Sequence, residues 1–154
     1  MMLNDEKFMA QAVKLAKLAQ KNGDVPVGAI IVRNGEILSR AYNKKNAKNN
    51  CLCHAEMLAI NKACKKLNNF RIDNSVIYVT KEPCLMCMGA ILSARINKIV
   101  YGCSDKRFGA MYLAKDNNFN HKCEVVSSVL EKQCAELLTS FFSDIRKNKK
   151  TKTN

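Results

Sequence analysis

An α/β domain, a sheet covered by helices, is what the sequence predicts, and three observations predict it. Four runs of strand length, 25–32, 37–42, 75–80 and 98–102, are rich in Val, Ile and Tyr and bounded by Gly, Pro, Asn or Ser. Longer segments beside them carry apolar residues at helical spacing. The strand, helix, strand succession across 75–102 has the spacing of a right-handed parallel crossover.

In chain order, Asp5 is placed to cap a first helix running to about Gln20, with Phe8, Ala12, Leu15 and Ala19 on one face and Gly23 just past its end. Residues 25–32 read as a buried strand, 33–36 as a hairpin turn and 37–42 as its antiparallel return. Gly28, inside a strand, marks either a bulge or the close approach of a ligand or another backbone. Residues 43–50 form a polar loop with Lys44, Lys45 and Lys48, read as a solvated linker or as a rim facing phosphate. A second helix runs from His54 to about Leu67. The strand 75–80 delivers the chain to a third helix, 84–94, which is followed by the strand 98–102. In such sheets ligands gather beyond the carboxyl ends of the strands, where residues 81–84 lie. Residues 103–120 read mostly as loop and 123–127 as an edge strand. A last amphipathic helix spans 130 to about 147, with Leu130, Cys134, Leu137, Leu138, Phe141 and Ile145 at helical spacing. Phe142 faces away from that stripe and is free to stack on a base.

The 154 residues, 47% of them hydrophobic, suffice for one domain with a full core, assigned to 1–147. Residues 148–154 are a basic tail, expected to be disordered. The N-terminus lacks the apolar core of a signal peptide and no run is long enough to span a membrane. With 8 cysteines in such a chain, a reducing cytoplasm and free or metal-bound thiols are expected in place of disulfides. The net charge of +13, from 26 basic and 13 acidic residues, points to a polyanionic partner, of which nucleic acid is the usual one.

The chemistry concentrates between Cys53 and Cys87. His54-Ala55-Glu56 and Pro83-Cys84-Leu85-Met86-Cys87 offer three metal ligands, His54, Cys84 and Cys87, and one uncommitted carboxylate, Glu56. A catalytic zinc takes three protein ligands and leaves a fourth position for water. Pro83 suits a first helical position, which puts Cys84 and Cys87 at i and i+3 of an opening turn. His54 and Glu56, only two apart, can converge at a helix N-terminus because Cα–Cβ bonds tilt toward that end. Two thiolates and a neutral imidazole bring the metal's formal charge to zero, so a carboxylate is needed to take the proton from water and return it to a leaving group. The pair of motifs, in this order, is the signature of zinc nucleobase deaminases. Two competing readings stand beside this one: a closed zinc site with Cys51 or Cys53 as fourth ligand, and a thioredoxin-like Cys-x-x-Cys, which leaves His54 and Glu56 without a role.

With these motifs, Val25-Pro26-Val27-Gly28-Ala29 and Asn120-His121-Lys122, the chain resembles the bacterial tRNA-specific adenosine deaminases of the cytidine-deaminase-like superfamily. The resemblance covers residues 8 to about 150. It implies a three-layer α/β/α sandwich around a five-stranded mixed sheet, one zinc ion (Zn2+) per chain, a homodimer in the cytoplasm, and conversion of adenosine to inosine at the wobble position of a tRNA anticodon stem-loop. It also implies His54, Cys84 and Cys87 as zinc ligands and Glu56 as proton shuttle. Asn43, Asp105, Val27 and Ala55 are implied as substrate contacts, and Phe141, Phe142 and Arg146 as contacts to the anticodon loop. The sequence departs from the family pattern at Cys51-Leu52-Cys53, at Lys81, where Leu is usual, and at Met111-Tyr112-Leu113, all on the pocket rim. Two further function classes share the metal site: a small-molecule nucleoside or nucleobase (cytidine or guanine) deaminase, and a non-catalytic zinc module that binds RNA.

Overall fold

The computed structural model describes residues 2–152, in the order α1 (Met2–Lys21), β1 (Gly28–Arg33), β2 (Glu36–Tyr42), α2 (Ala55–Leu67), β3 (Ser75–Lys81), α3 (Leu85–Ser93), β4 (Lys98–Cys103), β5 (Glu124–Val126) and α4 (Glu131–Lys152). The five strands form one mixed sheet in the order β2-β1-β3-β4-β5. The β1/β2 and β1/β3 pairs are antiparallel, whereas β3/β4 and β4/β5 are parallel. The predicted edge strand is therefore real, and it is the parallel outer neighbour of β4.

Alternation along the strands builds the three layers. Ala29, Ile31, Ile77, Val79 and Ile99 point to one face, where they pack with Ala55, Ala59 and Ala63 of α2 and Met88 and Ile91 of α3. Ile30, Val32, Tyr78 and Val100 point to the other, against Met9, Ala12 and Val13 of α1 and Cys134 of α4. Among the described residues, no helix is long and apolar enough to cross a membrane.

Local chemistry accounts for the sharpest features. Asn34 and Gly35 turn the β1–β2 hairpin with φ of 53° and 77°, the left-handed pair that a two-residue loop requires and that Asn-Gly supplies. The ambiguity at Gly28 resolves to close backbone approach, because a Cβ there would overlap the Ala12 carbonyl of α1. The bulge lies elsewhere, between Ile31 and Val32.

Four boundaries differ from expectation. β1 begins at Gly28, since Val27 turns its amide back to Val25 O (2.8 Å), although its carbonyl still accepts from the amide of Asn43 (3.0 Å), in register with the Gly28–Tyr42 pair. A 3-10 helix, Met111–Lys115, sits inside the expected loop. α4 continues to Lys152 where a disordered tail was expected from 148, its helical ladder running on past the packed part; Thr153 and Asn154 lie outside the described residues. Asp5, expected as a cap, lies within α1, where a tertiary partner takes its carboxylate. Tyr78 of β3 donates its hydroxyl to Oδ1 (2.8 Å) and Lys98 of β4 approaches Oδ2 (3.6 Å).

That triad ties α1 to two central strands. Burial pushes the Tyr78 phenol up, and its bond to Asp5 adds to the shift. Asp5→Ala strands the buried hydroxyl and the Lys98 ammonium, so thermal unfolding of the zinc-loaded protein should show a loss of about 2–3 kcal/mol. Asp5→Asn, which still accepts the Tyr78 bond, should lose about half as much.

Candidate metal centre and active site

Two helix N-termini deliver the expected ligands to one place. His54 is the N-cap of α2 and Cys84 the N-cap of α3, with backbone angles (φ, ψ) of (−70°, 151°) and (−76°, 176°). Neither side chain caps its own helix, so both are left to face each other across the gap between α2 and α3. Pro83, expected at the first helical position, instead precedes the cap. The isolated β-bridge between Cys84 and Gly109 keeps Cys84 extended, and helical geometry starts only at Leu85. The spacing still works, because N-cap and N3 side chains converge, the same geometry that permits a capping box. Cys84 and Cys87 hold those two positions, and Glu56 is the second residue of α2.

The ligand atoms of His54, Cys84 and Cys87 lie within 4.8 Å of one another. His54 Nδ1 is 3.7 Å from Cys84 Sγ and 3.5 Å from Cys87 Sγ. Around a tetrahedral zinc about 2.1 Å from nitrogen and about 2.3 Å from sulfur, such atoms stand about 3.6 Å apart. The donor set and its spacing therefore fit zinc. Neither Cys51 nor Cys53 belongs to the cluster; the first is exposed and the second buried elsewhere, so three protein donors leave one corner open.

Electrostatics agree with a cation-binding centre. The hydrogen bond from Cys87 brings the Cys84 thiol down to about 3, with His54 helping and burial opposing. The same bond, together with burial and the nearby Glu56, pushes Cys87 up. A metal bound by both sulfurs would displace their protons. Its bond with Cys84 raises the His54 pKa against the effect of burial. Burial raises that of Glu56, whose side chain is only 4% exposed; its own backbone amide and His54 pull the other way.

Above the cluster opens a pocket of about 520 Å³, lined by His54, Glu56 and Cys84 with Val27, Asn43, Ala55, Asp105 and Phe142 among the other expected positions. Asn43 is buried, its amide donating to Val25 O (3.4 Å) and its Oδ1 accepting from the Lys45 amide (3.2 Å). Cys87 lies beneath the floor, fully buried. Phe141 and Arg146 do not line the pocket. Phe141 is buried and meets Phe142 edge-on with centroids 5.4 Å apart, so one step along α4 sends one ring to the core and the next to the cavity. Arg146 is exposed one turn further on.

Lys45, of the loop read as a linker or a phosphate-facing rim, also lines the pocket, as do Glu82 and Phe108, to which sequence reasoning gave no role. Glu82 accepts the amides of Asp105 at Oε1 (3.2 Å) and Met111 at Oε2 (3.3 Å), pinning the segment after β4 to the end of β3. A carboxylate directly before Pro83-Cys84 was its available signal. Lys81, noted only as a departure, pairs with Asp105 Oδ2 at 2.9 Å. Burial pulls the Asp105 carboxyl up, but Lys81 and the amides of Phe108 and Arg107 outweigh it and hold it below its ordinary value.

Comparison with known proteins agrees with this geometry. Residues 2–103 match the family model for the cytidine and deoxycytidylate deaminase zinc-binding region. The tRNA-specific adenosine deaminase of Bacillus subtilis (strain 168) is 45% identical, over 97% of this chain and 95% of its own. A solved structure from work on A-to-I editing by tRNA:A34 deaminases at the wobble position superposes with a TM-score of 0.83 at 34% identity, covering 86% of this chain and 99% of that one. Guanine deaminase from Bacillus subtilis matches with a TM-score of 0.64 at 35% identity, covering 72% and 74%.

Proposed function

This chain belongs to the tRNA-specific adenosine deaminases of the cytidine and deoxycytidylate deaminase zinc-binding family, and on that premise we propose that it hydrolyses adenosine to inosine at the wobble position of a tRNA anticodon. The observation that carries this reading is a three-donor cluster with an open corner, set under a pocket with a buried carboxylate beside it.

His54, Cys84 and Cys87 would hold a zinc ion, which when bound would acidify a water at the open position. Everything else falls to the chain. Glu56 takes the proton from the water that adds to C6 of the adenine, then gives a proton to the amine that leaves as ammonia, so C–N is exchanged for C=O with no net change in redox state. Its burial favours the protonated form midway through the cycle and keeps the carboxyl out of bulk water. Val27 and Ala55 form apolar pocket wall, while Asn43 and Asp105 bring polar groups to the nucleoside.

The RNA partner is supported by the +13 charge and by the basic end of α4, where Arg146, Lys147, Lys149, Lys150 and Lys152 are exposed on one helix. Phe142, on the pocket wall, is placed to stack on a base, with Phe141 supporting it from below. We place the enzyme in the cytoplasm as a homodimer whose deaminase domain is 1–147. The exposed Leu52, Leu85 and Tyr112 are side chains a second copy would cover.

The test is inosine formation and ammonia release by zinc-loaded protein on an anticodon stem-loop with adenosine at the wobble position, beside free adenosine, cytidine and guanine. Inosine in the stem-loop alone is expected. Turnover of free guanine or cytidine alone would keep the zinc chemistry and replace the substrate.

A further inference from the structure

Directly after β4 the chain makes a turn that the metal centre does not use. The Asp105 Oδ1 accepts the amides of Arg107 (3.0 Å) and Phe108 (3.1 Å), and the Gly109 amide donates to Asp105 O (2.9 Å). Three outside anchors fix this turn: Lys81 on Asp105 Oδ2, Glu82 on the Asp105 and Met111 amides, and the bridge from Gly109 to Cys84. The last of these joins it to a metal-ligand residue, so the turn has a set position relative to the reacting centre.

On that turn sits Phe108, a lining residue of the pocket that is nevertheless 60% exposed. It belongs to neither core cluster. The Arg107 guanidinium carbon lies 5.0 Å from its ring centroid, and Lys106 is exposed beside it. An apolar ring carried into water on an anchored turn at the mouth of the site, with cations at its side, matches what a single-stranded nucleic acid needs: a face for a base and charge for its phosphate.

We propose that Phe108 is a stacking platform for the base that flanks the reacting nucleotide. This rests on the RNA deaminase reading and names a contact for it. The pocket floor holds the reacting base, the strand leaves over the rim, and the next base meets a ring whose backbone is already anchored, so little ordering of the chain is required on binding. Stacking of this kind tolerates any base, so Phe108 raises affinity for a strand without choosing its sequence.

The experiment compares zinc-loaded wild type, Phe108→Ala and Phe108→Tyr on an intact anticodon stem-loop and on two others in which an abasic nucleotide replaces the base on either side of the reacting adenosine. Phe108→Ala should raise KM for the intact stem-loop about tenfold with kcat within about threefold, and Phe108→Tyr should match wild type. One of the abasic substrates should raise the wild-type KM to a similar extent and leave that of Phe108→Ala unchanged. An unaltered KM for Phe108→Ala overturns the proposal, as do losses that multiply for both abasic substrates. Light scattering that shows Phe108→Ala breaking an oligomer overturns it in favour of a subunit contact. Wild type inert on every stem-loop removes the RNA reading and this contact together, whereas an active wild type with an unaffected Phe108→Ala removes the contact alone.

Discussion

Glu56→Gln should lower kcat on the stem-loop by about 10³–10⁴-fold while the protein keeps one zinc per chain. The size follows from the number of steps at stake. A positioned acid or base contributes about 10²–10⁴-fold, and here one carboxylate serves both the attack of water and the departure of the amine. A loss of 10³-fold corresponds to about 4 kcal/mol of transition-state stabilisation. Zinc should stay because the cluster of His54, Cys84 and Cys87 closes without Glu56. Folding should not suffer, since the side chain is 4% exposed and burial already disfavours its charge; an uncharged amide of the same shape removes that penalty. Three measurements decide it: single-turnover inosine formation, metal content, and the melting temperature. A rate within tenfold of wild type would sink the shuttle role. Loss of zinc with the rate would make Glu56 a ligand instead.

What could be read from the residues alone was whatever local rules determine. Asn34-Gly35 demands a left-handed turn, and the structure has one. Cys84 and Cys87 three apart at a helix start must converge, and they do so even though Pro83 precedes the cap and the helix begins only at Leu85. The opening of two helices by a histidine and a cysteine set His54 and Cys84 facing each other once the sheet put α2 and α3 on the same face. Features set by distant partners were not legible. A carboxylate near a helix start looks like a cap, and only the arrival of β3 shows that Asp5 answers Tyr78. Phe141 and Phe142 look alike in sequence, yet a rotation of about 100° along the helix separates core from cavity. Glu82 and Phe108 gained their positions because parallel β3 and β4 end side by side, Lys81 opposite Cys103, which brings the segment after β4 over the ligand loop. Neither motif nor periodicity carries that information.

Removing the metal should abolish activity and lower stability, and the three ligand residues should not be equivalent in how they do so. Binding stabilises a folded state by about 4 kcal/mol when free ligand is a thousandfold above its dissociation constant. For a chain of this length that is about 8–16 °C in melting temperature, so chelated protein should melt that much earlier and recover on adding zinc. His54→Ala and Cys84→Ala, at half-buried positions on the pocket floor, should lose the metal and melt like the chelated wild type. Cys87→Ala should melt lower still, because that side chain is fully buried and its removal leaves a void as well as an incomplete site. Cys53→Ala separates the open site from the closed one: with Cys53 outside the cluster, the variant should keep its zinc and most of its activity. Loss of zinc there would mean a fourth protein ligand and no place for water, and cobalt-substituted protein would then give a spectrum insensitive to pH. Retained zinc with a pH-sensitive cobalt spectrum places water at the open corner, which Glu56 requires if it is to have a proton to move.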